Sequence, residues 1–223
     1  MKLCRKLLKD VELGRGSSVY YAIIKAIAKF LLKLFGRMKV DGGELPEGGV
    51  ILAGNHISDL DPPAMACAAK RPVYFLAKKE LFRNKVLSWF LHSFKAYPLK
   101  RGKGDLAAIR QALTILKEEK VLGIFPEGTR VKDGEMIDPK NGAAFLAMQA
   151  KVPIVPVAIS GTEAGIKGLF LGKTRIRITF GQPISVNEIE EISAQKDLDK
   201  HQKLDMISNE IMKRIRMSLE VSR

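Results

Sequence analysis

Between Val50 and Phe180 short apolar runs alternate with stretches of helical period, and this alternation constrains the fold more than any single motif. The expected strands are 50–54, 72–77, 96–99, 121–125, 153–159 and 174–180, and the expected helices are 62–69, 84–93, 105–119 and 141–150. Strands interleaved with helices predict an α/β domain with a mixed, largely parallel sheet flanked by helices. Residues 36–48, with four glycines, Pro46 and a short strand at Met38-Lys39-Val40, lead into that domain. Residues 186–223 are charged and helical, with Ile189, Ile192, Leu204, Ile207, Ile211, Ile215 and Leu219 as the buried line. In open sheets of this kind ligands gather at the carboxyl ends of strands, so the turns there are the places to look for a site.

Residues 19–35 read VYYAIIKAIAKFLLKLF, apolar except for Lys25, Lys29 and Lys33. Lysines four apart lie on nearly one line of a helix and leave the other faces apolar. Spanning a bilayer would bury that line at about 2.5–3.5 kcal/mol per central lysine, whereas a helix lying in the membrane plane keeps its lysines among anionic headgroups. The preceding MKLCRKLLKDVEL is also basic and amphipathic, with a bend expected at Gly14-Arg15-Gly16-Ser17. The expected organisation is therefore an amphipathic helical membrane-anchoring segment over 1–35 and an α/β domain over 36–223. A surface helix packed on its own domain is the alternative for 19–35.

With 38 Lys+Arg against 24 Asp+Glu, the net charge of +14 draws the chain toward something anionic: a membrane surface, a phosphorylated substrate, an acidic protein or a nucleic acid. Cys4 and Cys67 are far apart and form no paired motif, which points to a reducing compartment without a disulfide framework. No apolar core followed by a small-residue cleavage site marks a secretory signal.

Three strand ends are candidates for the chemistry, one of them the run Val73-Tyr74-Phe75-Leu76-Ala77 leading into Lys78-Lys79-Glu80-Leu81. The run Val50-Ile51-Leu52-Ala53-Gly54 leads into Asn55-His56-Ile57-Ser58-Asp59-Leu60-Asp61, followed by Pro62-Pro63. A turn this short can fold Asp61 back onto His56, and a carboxylate on one ring nitrogen leaves the other free to take a proton from a hydroxyl or thiol. Asp61 as a plain helix N-cap, and His56, Asp59 and Asp61 as metal ligands, are the competing readings. The run ending at Phe125 leads into Pro126-Glu127-Gly128-Thr129-Arg130, where an arginine suits a phosphate. Between Arg71 and Lys103 nine Lys or Arg accompany one acid, Glu80, and adjoin these strand ends. His92 belongs to a partly buried helix, His201 to solvent, and Leu169-Phe170-Leu171 to a membrane or acyl-chain contact or a buried turn.

Four segments in this order resemble the glycerolipid acyltransferase family, most closely the 1-acylglycerol-3-phosphate acyltransferases. His56 to Asp61 matches its histidine, four residues, aspartate signature; Lys78-Lys79-Glu80-Leu81 with Tyr97-Pro98-Leu99-Lys100-Arg101 resembles its second block; Phe125 to Arg130 matches its third; Val152-Pro153-Ile154-Val155-Pro156-Val157-Ala158 resembles its fourth. The resemblance implies a peripheral or monotopic enzyme on the cytoplasmic face of a membrane. It would transfer a fatty acyl group from an acyl-carrier-protein or coenzyme A thioester to the free hydroxyl of lysophosphatidic acid. It also implies His56 as general base, Asp61 as its orienting carboxylate, and Lys78, Arg101, Glu127, Gly128, Thr129 and Arg130 as acceptor-binding residues. It calls for no metal, no cofactor, no covalent enzyme intermediate and no nucleic acid. Another lysophospholipid as acceptor, a metal-dependent phosphohydrolase built on Asp59 and Asp61, and a basic nucleic-acid-binding module are the alternatives.

Overall fold

The computed structural model describes residues 18–99, 105–130 and 137–221. Helix α1 (Ser18–Leu34) precedes strand β1 (Lys39–Asp41) and strand β2 (Val50–Gly54). The chain continues through α2 (Asp61–Ala68), β3 (Val73–Lys78), a 3-10 turn (Lys79–Arg83), α3 (Lys85–Ser93), β4 (Ala96–Leu99) and α4 (Asp105–Lys117). Then follow β5 (Val121–Ile124), α5 (Gly142–Ala150), β6 (Ile154–Ser160), α6 (Gly165–Phe170), β7 (Arg177–Phe180), α7 (Val186–Ala194) and α8 (Lys200–Val221). The strands form one seven-stranded sheet in the order β1-β7-β6-β2-β5-β3-β4. Neighbours from β6 to β4 are parallel, β7 runs antiparallel to β6, and β1 is parallel to β7, so the sheet is mixed at one edge only.

The central strands read as unbroken apolar runs because both of their faces are covered. Every residue of β2 is buried. Val50 and Leu52 face a layer of α1, α2 and α3 together with Val73, Phe75, Val121, Val157 and Ile178. Ile51 and Ala53 face α4, α5, α7 and α8 together with Leu122, Ile154, Ile207 and Ile211. The apolar line expected in 186–223 is seated as a buried face, but in two helices separated at 195–199. Ser185 and Glu188 form a reciprocal capping box that starts α7, and Arg214 of α8 closes on Glu188 at 2.5 Å.

Strand β7 covers only Arg177–Phe180 of the expected 174–180, and two further elements differ from expectation. Helix α6 was not anticipated, since GIKGLF carries two glycines in six residues and has little intrinsic helical preference. It forms because Leu169 is buried in the core beside Ile176. In α1 the lysine line does not face outward as a unit. Lys25 is half-buried and its Nζ donates to the Ala69 carbonyl at the end of α2 at 2.6 Å, where burial lowers its pKa. Tyr21 and Leu32 are buried with it and Ile24 packs on the core, while Val19, Ile23, Ile27, Phe30 and Leu34 form an exposed apolar stripe. Among the described residues no helix is long and apolar enough to cross a membrane. The amphipathic stretch 1–13 lies outside the described residues.

Candidate active site

At the end of β2 the Asn55 side chain continues the ladder to β6 by one rung: Nδ2 donates to the Ile159 carbonyl and Oδ1 accepts from the Ile159 amide, both at 2.8 Å. That bidentate pair satisfies backbone groups that would otherwise be orphaned where the strand ends, and it frees the chain to turn. His56 follows at once, with its ring stacked on Phe125 at 4.3 Å between centroids. Its backbone amide donates to Glu127 Oε2 at 3.0 Å, which ties the turn after β2 to the turn after β5.

The His56–Asp61 pairing expected from the spacing is present, with Nδ1 2.9 Å from Asp61 Oδ2. Asp61 is wholly buried, whereas the His56 side chain keeps 18% of its exposure. The cap reading is corrected: Asp61 is the first residue of α2, the N-cap position is Leu60, and no side chain caps the helix there. The carboxylate instead turns back into its own loop. Oδ2 accepts the amides of Ile57 and Ser58, each at 2.7 Å, and Oδ1 accepts the hydroxyl of Thr162 at 2.6 Å. Three donors besides the ring complement a charged carboxylate, and charge-assisted bonds of this kind are the strong ones. The tautomer that donates from Nδ1 leaves the Nε2 lone pair as an acceptor, the arrangement of an oriented general base.

Thr162 carries no sequence signal beyond its place just after the proline-broken strand. It is buried, and Gly161 before it adopts a φ of +75°. A Cβ at Gly161 would overlap the Arg175 carbonyl, so only glycine makes the turn that brings the threonine hydroxyl to Asp61.

Of the residues expected to bind the acceptor, Glu127 is buried, and burial raises its pKa despite the opposing bond from the His56 amide. Gly128 has a φ of +68°, and Thr129 and Arg130 are exposed beside it. Arg130 Nη1 reaches Asp59 Oδ2 at 2.6 Å, so one acid of the metal reading is engaged by an arginine. Among the described residues no three His, Cys, Asp or Glu side chains converge to hold a metal ion. Lys78 stands exposed at the carboxyl end of β3, the strand beyond β5, and Arg101 lies outside the described residues. Cys67 is buried against α1, its thiol pushed up to about 12 by burial, which leaves it inert as a nucleophile. His92 is half-buried on α3 against Phe82, and His201 is exposed and paired with Asp205 at 2.8 Å.

The sequence profile of the family described as Acyltransferase matches residues 37–160. A 1-acyl-sn-glycerol-3-phosphate acyltransferase of Streptococcus pneumoniae is 36% identical over 145 residues, 64% of this chain and 53% of that protein. A Bacillus subtilis protein of the same name is 32% identical over 173 residues, 76% of this chain and 85% of that protein. The chain thus spans about half of the first relative and most of the second. Among solved structures, the 1-acyl-sn-glycerophosphate acyltransferase PlsC of Thermotoga maritima shares the fold with a TM-score of 0.66 at 22% identity, covering 91% of this chain and 79% of that one. The matched segment contains both strand-end turns and the four segments whose resemblance the sequence carries, and the chain belongs to the acyltransferase family.

Proposed function

We propose that this chain transfers a fatty acyl group from an acyl thioester to the free hydroxyl of 1-acylglycerol-3-phosphate, forming phosphatidic acid. The observation that carries the reading is the buried, fully hydrogen-bonded Asp61 on His56 Nδ1, fastened to the Glu127 turn through the His56 amide. The acceptor oxygen attacks the thioester carbonyl carbon as His56 Nε2 takes its proton. The new C–O bond gives a tetrahedral intermediate, and Asp61 stabilises the imidazolium. As the C–S bond breaks, the imidazolium returns the proton to the departing thiolate. The donor is a thioester of acyl carrier protein or coenzyme A, and Arg130 and Lys78 supply positive charge at the rim for the acceptor phosphate.

The acceptor is an amphiphile held in a leaflet, so the enzyme works at a membrane surface. The exposed stripe of α1 is the apolar face for this, with Ile23 53% and Phe30 63% exposed. Phe170 and Leu171 extend it at the end of α6, the Phe170 ring lying 5.6 Å from that of Phe35.

Acyl transfer from a radiolabelled thioester to lysophosphatidic acid on liposomes tests the reaction, wild type against His56→Ala. Removal of a general base is expected to lower kcat by about 100- to 10,000-fold while membrane binding is unchanged. A wild type that makes no phosphatidic acid, or a His56→Ala variant at full rate, contradicts the mechanism.

A further inference from the structure

The chain returns to the site at Lys140. Its backbone amide donates to the Pro126 carbonyl at 2.8 Å, which fixes the residue beside the turn after β5. Its side chain then runs along Gly128: a Cβ built on that glycine would stand 3.0 Å from each of Lys140 Cδ, Cε and Nζ. A lysine stem and its ammonium therefore occupy the space that any side chain at position 128 would claim. The preceding residue, Glu127, is the one that holds the His56 amide, so the ammonium lies on the turn that fastens the general base.

The two cations of this turn differ in their occupation. Arg130 is bound to Asp59 across the two turns. Lys140 is exposed and, among the described residues, no carboxylate pairs with it. An incoming phosphate thus meets one cation shared with Asp59 and, among the described residues, one with no carboxylate partner. An ammonium is a compact charge with three rotatable donors, suited to a tetrahedral anion whose orientation is set elsewhere.

We propose that Lys140 binds the phosphate of the acceptor, its ammonium over Gly128 receiving the anion while the acceptor hydroxyl lies at His56. This rests on the acyl-transfer reading above. Gly128 then has two duties: its positive φ makes the turn, and its missing side chain leaves room for the lysine.

The test separates charge from packing. Lys140→Met keeps a long apolar stem without the charge, and Lys140→Arg restores the charge. With lysophosphatidic acid on liposomes, the KM of Lys140→Met is expected to rise by about 10- to 100-fold with kcat little changed, the range for one lost bond to a charged group. Lys140→Arg recovers most of that loss, and the effect vanishes for a monoacylglycerol acceptor, which lacks the phosphate. Binding of glycerol 3-phosphate, followed by ligand-observed NMR, needs neither turnover nor bilayer and is expected to weaken in parallel. A KM and a glycerol 3-phosphate affinity that Lys140→Met leaves unaltered overturn the proposal and keep the reaction. Binding that depends on Lys140 in a chain without transferase activity keeps the phosphate site and overturns the reaction.

Discussion

Asp61 receives four hydrogen bonds, and only one of their donors is the His56 ring. Thr162 supplies the one that comes from outside the loop, so on the proposed mechanism it is a positioning residue that acts through Asp61. Thr162→Val, which removes the hydroxyl at nearly constant shape, is expected to lower kcat by about tenfold with the acceptor KM unchanged, while Thr162→Ser restores it. Equal losses in both variants would show that the methyl group matters and the hydroxyl does not. Glu127 makes a second residue-level prediction, in stability. Its burial favours the neutral carboxyl, so the stability linked to it is fully present below the ordinary glutamate pKa and is lost as pH rises through the raised one. Glu127→Gln keeps an oxygen for the His56 amide and never ionises. Its melting temperature should match the wild type in acid and gain on it as pH climbs through and above the glutamate range, and a difference that ignores pH refutes this. His56, Asp61 and the Glu127 turn were legible because each sits within a few residues of a strand end. Thr162 sits just past a strand end too, but it belongs to no motif, and spacing does not say that its turn meets Asp61 from 101 residues away. Lys140 escaped for a related reason, since its partner is a missing side chain at Gly128 rather than a motif.

Among the elements, α1 shows how far periodicity reaches. The helix and its amphipathic character follow from the 19–35 pattern, and the structure places the helix at Ser18–Leu34. Which face is turned outward did not follow, because a half-buried lysine satisfied by a backbone carbonyl reads the same in sequence as a solvated one. Ile24 and Ile27 look equivalent on the apolar surface, yet Ile24 packs on the core and Ile27 is exposed. Changing Ile23, Ile27 and Phe30 together to asparagine should thus spare the fold and weaken vesicle binding by at least about a hundredfold, since each large apolar side chain transferred out of water contributes about 1.5–3 kcal/mol. Co-sedimentation with anionic liposomes measures the binding, and circular dichroism checks the fold. Unchanged sedimentation would remove α1 from the membrane contact. The alternation of strands and helices was legible for the opposite reason: each buried strand is a plain apolar run whose length and flanking turns are local properties.

At the scale of the whole molecule, strand order was the part hidden from the sequence. The expectation of a mixed, largely parallel sheet holds, but nothing local says that β2 lies between β5 and β6, or that β1 is set beside β7. Those placements depend on how the apolar faces of distant helices share two cores, one on each side of the sheet. They also set a timetable. The turn after β2 carries His56 and leads to Asp61, but both partners of β2 are made later, and Thr162 follows β6. At a ribosomal rate of about 5–20 residues per second, the 101 residues between Asp61 and Thr162 take roughly 5–20 s to synthesise. Through that interval Asp61 lacks its outside donor, although α1 with its apolar stripe has already been synthesised. On the acyl-transfer reading, the growing chain thus acquires its face for a bilayer before its general base is fully oriented.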